Sequence, residues 1–309
     1  MAARLIRSEY FVLLLCGAWA LLACFAVPDF ASPENLVNVI AAMIPLLIVA
    51  VGQTVVVLTG GIDLSATSII GFASVAGALT MTGGGGAAAI AGVAVMILTG
   101  LLTGAANGAA VAFLRMPPFI ATLATMMFVS GAAVWITRSA NVPGIPESFL
   151  VGGSSLPLVA ILAAVSCGAC HWLLTRTRLG QWLYAAGRNA KTAVASGVPV
   201  GRTLVFAYAL SGVFAALGSI LYTARLETGS PVLGQRILLD VVAAVVIGGT
   251  SLFGGRGRVV WTLFGVLFIT LIDNTLNLLG VSNFAVLMVK GLVILAAALM
   301  DRARSLREA

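Results

Sequence analysis

Charged residues are scarce in this sequence: Asp, Glu, Lys and Arg make up 9% of its 309 residues, whereas hydrophobic residues make up 61%. A soluble domain carries about 25% charged residues, so the composition excludes that class and indicates a polytopic membrane protein. The net charge of +7 would suggest an anionic partner in a soluble protein. In a membrane protein it indicates orientation, because cytoplasmic loops collect Lys and Arg. We expect a lipid bilayer as surroundings and no nucleic acid as partner.

Signatures of nucleotide, haem and metal sites are missing or misplaced. No G-x-x-x-x-G-K-[ST] occurs, so we expect no P-loop for ATP in this chain. The C-x-x-C-H stretch at residues 167–171 contains the only histidine, but it falls near the predicted cytoplasmic end of a span, and covalent haem attachment needs an exposed outer segment. The four cysteines lie in apolar runs, which does not indicate a disulfide framework. The sequence predicts no catalytic residue, no metal site and no cofactor.

Long apolar runs, in contrast, are abundant. A spanning helix needs roughly 17–25 mainly apolar residues, and clusters of Pro, Gly and charge divide the chain into ten candidates. They cover approximately residues 10–27, 38–58, 66–82, 88–113, 118–137, 157–174, 203–222, 237–250, 259–279 and 281–299. The sequence therefore predicts an all-α, polytopic transmembrane helical bundle of about ten spans, with residues 1–309 forming one transmembrane domain.

The basic residues are distributed unequally between the two sides that ten spans create. With a cytoplasmic N-terminus, 13 of the 17 Lys and Arg residues fall on the inner side, three on the outer side, and Lys290 within the last span. Because cytoplasmic loops are rich in Lys and Arg, this imbalance predicts that both termini are cytoplasmic. The longest polar connection, about residues 175–202, then lies on the inner side.

Polar residues within or beside the spans are the candidates for function. Such groups usually face a bundle interior or a water-filled cavity. For Gln53 and the asparagines, interhelical hydrogen bonding and a place in a substrate pathway are equally open. The candidate pathway residues are Gln53, Gly60, Gly61, Asp63, Ser65, Asn107, Asp273, Asn274 and Asn277.

Asp63 differs from the other polar residues because it follows a helix break. Gly60 and Gly61 end one apolar run, and the Asp63 carboxylate can accept the free backbone N–H groups that open the next helix. The sequence therefore predicts that Asp63 is an N-cap. Helix breaks at membrane depth are tolerated where the backbone is buried or lines a cavity, and transporters place substrate beside them.

Two further patterns concern helix contacts. Gly100, Gly104 and Gly108 are four residues apart, so they share one face of the fourth predicted span and favour close approach of another helix. In the inner connection, residues 189–196 form a helix-compatible piece bounded by Gly187 and Gly197. From the residues alone this piece is either a connector or a docking element.

Several motifs in fixed order resemble one family. They are LTGGIDLS (58–65), NGAAVAFLRMPPFIATLATM (107–126), AAGRNAKTAVASGV (185–198), VVIGGTSLFGGRG (245–257), NLLGVSNF and VKGLVILAAALMD. Together they resemble a ribose-type permease of bacterial ABC sugar importers, from about residue 30 to residue 301.

The resemblance implies a multi-pass permease of the bacterial inner membrane that carries a monosaccharide. It implies ABC ATPase subunits, a second permease copy or close relative, and a periplasmic sugar-binding protein as partners. It also implies that the 187–197 segment is the coupling helix that docks in a groove of the ATPase. Its residues are Gly187, Asn189, Lys191, Ala193, Ser196 and Gly197.

The chain departs from the family pattern at a few positions, which leaves the transported solute open. Asp273 stands where Asn is common, and Leu238 where relatives often have Glu. A nucleoside or a branched-chain amino acid is the alternative solute for an ABC permease. An ion-coupled secondary transporter that uses Asp63, Asp273 and Lys290 is the alternative mechanism.

Overall fold

The computed structural model describes residues 11–308, without the side chains of residues 283, 297, 298 and 300–308. Residues 1–10 lie outside the described part, and with them Arg4 and Arg7 of the charge count. Over residues 11–308 the structure has helices and one isolated antiparallel bridge, between Val142 and Gly229. The predicted all-α class is confirmed for this range.

Thirteen helices occupy the described residues. They are α1 (Phe11–Ala26), α2 (Pro33–Leu58), α3 (Ala66–Met81), α4 (Gly86–Ala112), α5 (Pro118–Thr137), α6 (Glu147–Ser154), α7 (Leu156–Arg176), α8 (Arg178–Arg188), α9 (Ala190–Ala195), α10 (Val200–Leu226), α11 (Leu238–Ile247), α12 (Val259–Leu278) and α13 (Asn283–Glu308).

Six of these helices, α2, α4, α5, α7, α10 and α12, are long and apolar enough to cross a membrane, judged by length and composition. Shorter apolar helices, α1, α3, α11 and residues 284–296 of α13, coincide with the other four predicted spans. A polytopic helical bundle is thus confirmed, whereas the total of ten crossings remains a prediction.

The centre of the bundle is formed by α2 and α10. Every residue of α2 from Ile44 to Leu58 is buried, as expected of a helix that is apolar on all sides. The long α10 packs against α2, α3 and α4, and α12 packs against α1, α2 and α11. Helix α2 therefore joins two groups of helices, one around α10 and one around α12.

The predicted glycine face of α4 is confirmed as a close contact with α10. A Cβ atom added at Gly100 would overlap the backbone of Gly212, and one added at Gly104 would overlap the backbone of Tyr208. Gly108 meets the next turn of α10 in the same way. We call this backbone-to-backbone contact the glycine seam.

Loops meet at both ends of the bundle. At one end, the Gly255 N–H donates to the carbonyl of Leu58, at 2.8 Å, so the 248–258 loop lies at the C-terminal end of α2. At the other end, Val142 and Gly229 exchange backbone hydrogen bonds of 2.8 and 2.9 Å. The loops predicted to be inner and outer are therefore grouped at separate ends.

Two helices, α6 and α8, lie between predicted spans, where no helix of their length was expected. Helix α6 begins directly after Pro146, in the connection between the fifth and sixth predicted spans, where Pro and Gly were expected to interrupt helical structure. Proline restricts a helix interior but is tolerated where a helix starts, which explains the error. Helix α8 is opened by Thr177, whose hydroxyl accepts the Gly180 N–H at 3.2 Å. The inner connection is thus a pair of helices, α8 and α9.

Candidate functional site

The Asp63 carboxylate is the centre of a buried hydrogen-bond network in the turn between α2 and α3. Asp63 is 1% exposed. Its Oδ1 accepts the backbone N–H of Ser65 at 3.0 Å and the Ser65 hydroxyl at 2.6 Å. Its Oδ2 accepts the hydroxyl of Ser211, on α10, at 2.8 Å. Both carboxylate oxygens are therefore partnered within the chain.

The network continues into α4 and α5. The Asn107 side-chain N–H donates to the Ser65 hydroxyl oxygen at 2.7 Å, and the Thr125 hydroxyl donates to Asn107 Oδ1 at 2.6 Å. We call Asp63, Ser65, Asn107, Thr125 and Ser211 the Asp63 network. It connects the α2–α3 turn with α4, α5 and α10, so one carboxylate stabilises the mutual position of several helices.

Gln53 supports the same turn from α2. With its amide in the orientation that satisfies both of its polar atoms, Gln53 donates to the backbone carbonyl of Asp63 and accepts the Asp63 N–H, each at 3.1 Å. Gln53 is 1% exposed. The backbone of Asp63 is thus held as firmly as its side chain.

The two glycines before Asp63 are required for different reasons. Gly60 has φ +79°, a left-handed conformation that glycine adopts without strain. Gly61 is buried, and a Cβ atom there would overlap the hydroxyl oxygen of Tyr208 on α10. The glycine pair therefore makes the turn and lets it lie against α10.

The cap prediction for Asp63 needs a correction of position. The N-cap residue of α3 is Ser65, whose side chain makes no capping hydrogen bond, and Asp63 lies two residues earlier. The Asp63 carboxylate nevertheless accepts the Ser65 N–H at the start of the helix. The break also follows a helix long enough to cross a membrane, because the 26 residues of α2 measure about 39 Å at 1.5 Å per residue.

A second buried polar cluster joins α11, α12 and α13. Lys290 Nζ lies 2.7 Å from Asp240 Oδ1 and 2.8 Å from Asp273 Oδ2. We call these three residues the ion triad. Its two carboxylates face one ammonium, and breaking a buried ion pair by removing one partner is costly. The triad therefore stabilises the contact of three helices, and Asp273, a predicted pathway residue, is one of its members.

The last two predicted pathway residues lie near the C-terminal end of α12. Asn274 and Asn35 of α2 exchange side-chain hydrogen bonds of 3.0 and 2.7 Å. Asn277 is exposed on the surface of this chain. The candidates are therefore not gathered in one place: Gln53, Gly60, Gly61, Asp63, Ser65 and Asn107 lie together, whereas Asp273, Asn274 and Asn277 lie on α12.

The segment predicted to act as the coupling helix is helical in the structure and forms α9. The Asn189 side chain accepts the Thr192 N–H at 3.0 Å, which makes Asn189 the N-cap, and Gly197 ends the segment with φ +80°. Lys191 and Val194 are exposed, the latter to 61%. Ala193 is 5% exposed and faces the protein interior, so it is not part of the accessible surface of this helix.

Helix α8 is tied to the 248–258 loop by Tyr184. Its hydroxyl donates to the backbone carbonyl of Gly257 at 2.7 Å. Burial raises the pKa of Tyr184 above its ordinary value, and the charge of Arg258 opposes that rise. The hydroxyl therefore keeps its proton at neutral pH and remains a donor.

Sequence reasoning missed several members of these clusters. Ser211 and Thr125 are short polar residues inside apolar runs, and this pattern recurs too often to single them out. The ion triad left a clearer signal, because a lysine within a predicted span requires an acidic partner nearby. Asp240 and Asp273 satisfy that requirement, although the sequence does not say that both contact Lys290.

Comparison with known proteins identifies relatives over almost the whole chain. Residues 35–298 match the family model described as branched-chain amino acid transport system / permease component. The chain is 41% identical to the ribose import permease protein of Bacillus subtilis (strain 168) over 286 residues, which are 90% of this chain and 88% of the relative. It is 37% identical to the ribose import permease protein of Escherichia coli (strain K12), over 89% of this chain and 87% of the relative. The L-arabinose transport system permease protein of Escherichia coli (strain K12) is 34% identical, over 96% and 91%. No solved structure matches the chain significantly.

Proposed function

Because the chain belongs to the branched-chain amino acid transport system / permease component family, we propose that it is the membrane-spanning subunit of an ATP-driven ABC importer for a sugar. The chain is a multi-pass permease of the inner membrane and a transport subunit. The observation that carries the sugar class is the similarity, along some nine-tenths of each chain, to permeases named for ribose and L-arabinose. A monosaccharide is the proposed solute.

Separate ATPase subunits supply the energy in this proposal, and they dock on the coupling segment α8–α9. The exposed Lys191 and Val194 of α9 support this assignment, because they offer a small accessible surface on a capped and therefore ordered helix. Gly187, Asn189, Ser196 and Gly197 set the shape of the segment, and the inward Ala193 holds it against the protein. A second permease copy, or a close relative, completes the membrane part.

A periplasmic binding protein delivers the sugar at the opposite end of the bundle. The grouping of loops supports this polarity: the basic 177–199 segment and the 248–258 loop lie at one end, and the Val142–Gly229 bridge lies at the other. In the proposed topology the chain therefore crosses the membrane ten times, and both termini are cytoplasmic. Alternating access between the two permease subunits moves the sugar inward.

For the pathway, we propose different roles for the two groups of predicted residues. Asn277 is exposed on the chain surface and Asp273 and Asn274 are half-buried, so residues of α12 can face a sugar or the second subunit. The Asp63 network is enclosed and fully partnered in this conformation, and it borders the pathway only when the helices around it separate.

Reconstitution of the chain with the ATPase and binding protein encoded nearest to it tests this proposal. We expect uptake of labelled ribose or L-arabinose into proteoliposomes that requires ATP and the binding protein. Unlabelled leucine and an unlabelled nucleoside serve as competitors. If either one inhibits uptake and unlabelled sugars do not, the class of that competitor replaces sugar as the proposed solute. Uptake that persists without ATP and disappears with an ionophore would support the ion-coupled alternative and refute the ABC mechanism.

A further inference from the structure

Three glycine-containing segments, far apart in the sequence, meet at the inner end of the bundle. The Gly255 N–H donates to Leu58 O at 2.8 Å. A Cβ atom at Gly187 would overlap that same Leu58 carbonyl, and one at Gly254 would lie 2.7 Å from Gly60 N and 2.9 Å from Gly187 O. We call Leu58, Gly60, Gly187, Gly254 and Gly255 the glycine junction.

The contacts at Gly187 and Gly254 are between backbones, which makes the junction stiff there. The atoms nearest to a Cβ atom added at either glycine all belong to the backbone, so no rotamer change can absorb a displacement, whereas Gly255 also packs against the Arg188 side chain. Gly60, Gly254 and Gly255 have φ of +79°, +83° and +73°, which glycine alone adopts readily. Closely packed interiors transmit strain. A shift of Gly187 must therefore move the Leu58 carbonyl or the 248–258 loop.

The junction lies directly between the coupling segment and the Asp63 network. Gly187 is in the last turn of α8, two residues before Asn189, which caps α9. Gly60 lies three residues before Asp63, whose carboxylate reaches α10 through Ser211. The hydrogen bond from Tyr184 to Gly257 adds a second tie between α8 and the loop.

We propose that the glycine junction transmits the displacement of α8 and α9 to the turn that carries Asp63. Gly187 and Tyr184 are then positioning residues for transport. This inference rests on the proposed function, since it requires an ATPase that moves the coupling segment. A competing route exists in the chain itself, because α9 continues through residues 196–199 into α10. The two routes predict different effects of substitutions in the junction.

The test compares Gly187→Ala, Tyr184→Phe and the control Gly168→Ala in the reconstituted complex. Gly187→Ala places a methyl group where the Leu58 carbonyl lies, and Tyr184→Phe removes only the hydrogen bond to Gly257. A Cβ atom at Gly168, on α7, meets nothing within 4 Å. Assembled complex, ATP hydrolysis and sugar uptake are measured for each, and the readout is sugar transported per ATP hydrolysed.

We expect the ratio of sugar transported to ATP hydrolysed to fall about 2- to 30-fold for Gly187→Ala, because substitutions along a coupling route alter the coupling free energy by about 0.5–2 kcal/mol. For Tyr184→Phe we expect a decrease in the lower part of that range. Gly168→Ala keeps the parent ratio. If Gly187→Ala does not assemble, Tyr184→Phe decides alone. If every assembled variant keeps the parent ratio, the proposed role of the glycine junction is overturned in favour of the route through α10. This holds also for a variant in which uptake and hydrolysis fall in proportion, because its ratio is unchanged. Failure of the proposed function is distinguishable, because the parent complex itself would then show no ATP-dependent uptake.

Discussion

Substitution of Asp63 separates the structural contribution of its side chain from a contribution of its charge. In Asp63→Ala, three buried donors lose their acceptor: the Ser65 N–H, the Ser65 hydroxyl and the Ser211 hydroxyl. Each buried donor without a partner costs about 1–3 kcal/mol. The hydroxyls can rotate towards other acceptors, but the N–H cannot, so we expect a total loss of about 2–5 kcal/mol.

Asp63→Asn keeps most of the same hydrogen bonds. The amide oxygen can still accept from Ser65, and the amide N–H group can donate to Ser211, whose hydroxyl serves as acceptor as well as donor. The loss is then the difference between charge-assisted and neutral hydrogen bonds, about 1 kcal/mol. We expect Asp63→Asn to retain substantial uptake, and Asp63→Ala to lose much of its uptake together with assembled complex.

The assay measures two quantities for each variant: the fraction of complex that stays monodisperse after heating, and uptake divided by the amount of assembled complex. Ser211→Ala is the matched control, because it removes a single donor from Oδ2, and we expect it to fall between the other two variants. Equal instability of Asp63→Asn and Asp63→Ala would refute the hydrogen-bond reasoning. A well-assembled but inactive Asp63→Asn variant would show that the negative charge itself is needed for transport.

Three other predictions concern the ion triad, the orientation and the coupling helix. Lys290→Met leaves the buried Asp240 and the half-buried Asp273 carboxylates side by side without their ammonium. We expect a loss of about 3 kcal/mol in heat stability assays, the low end for a broken buried ion pair because Asp273 is partly exposed, and a smaller loss when both aspartates are also replaced by asparagine. Equal losses in the two variants would contradict the triad. In a variant without native cysteines, single cysteines introduced at the exposed Ser148 and Gln235 should react with a membrane-impermeant thiol reagent from outside. A cysteine introduced at Lys191 should react only from inside, and labelling of that position from outside would reverse the predicted orientation. Val194→Asp places an unpaired charge in the proposed docking contact, so we expect less ATPase to co-purify with the permease. The stability of the permease alone should not change. Undiminished co-purification would exclude Val194 from that contact.

The sequence was sufficient for features that depend on neighbouring residues. Each predicted span coincides with an apolar helix, and the α9 helix lies between the glycines that were expected to bound it. The pairing of distant residues could not be predicted, because a helix pattern does not state which helix it packs against. Asp63 and Ser211 are 148 positions apart, and the sequence offers many serines as equal partners.

The glycine seam between α4 and α10 has a consequence for the biogenesis of the protein. Gly100 contacts Gly212, so synthesis must advance by about 110 residues between the two, which takes roughly 5–20 s at about 5–20 residues per second. During that interval α4 has been made but its partner has not, and its bare glycine face has only lipid or the insertion machinery to contact. Slow synthesis of the segment between these helices, or an early stop within it, therefore leaves α4 without its partner and available for wrong association with another chain.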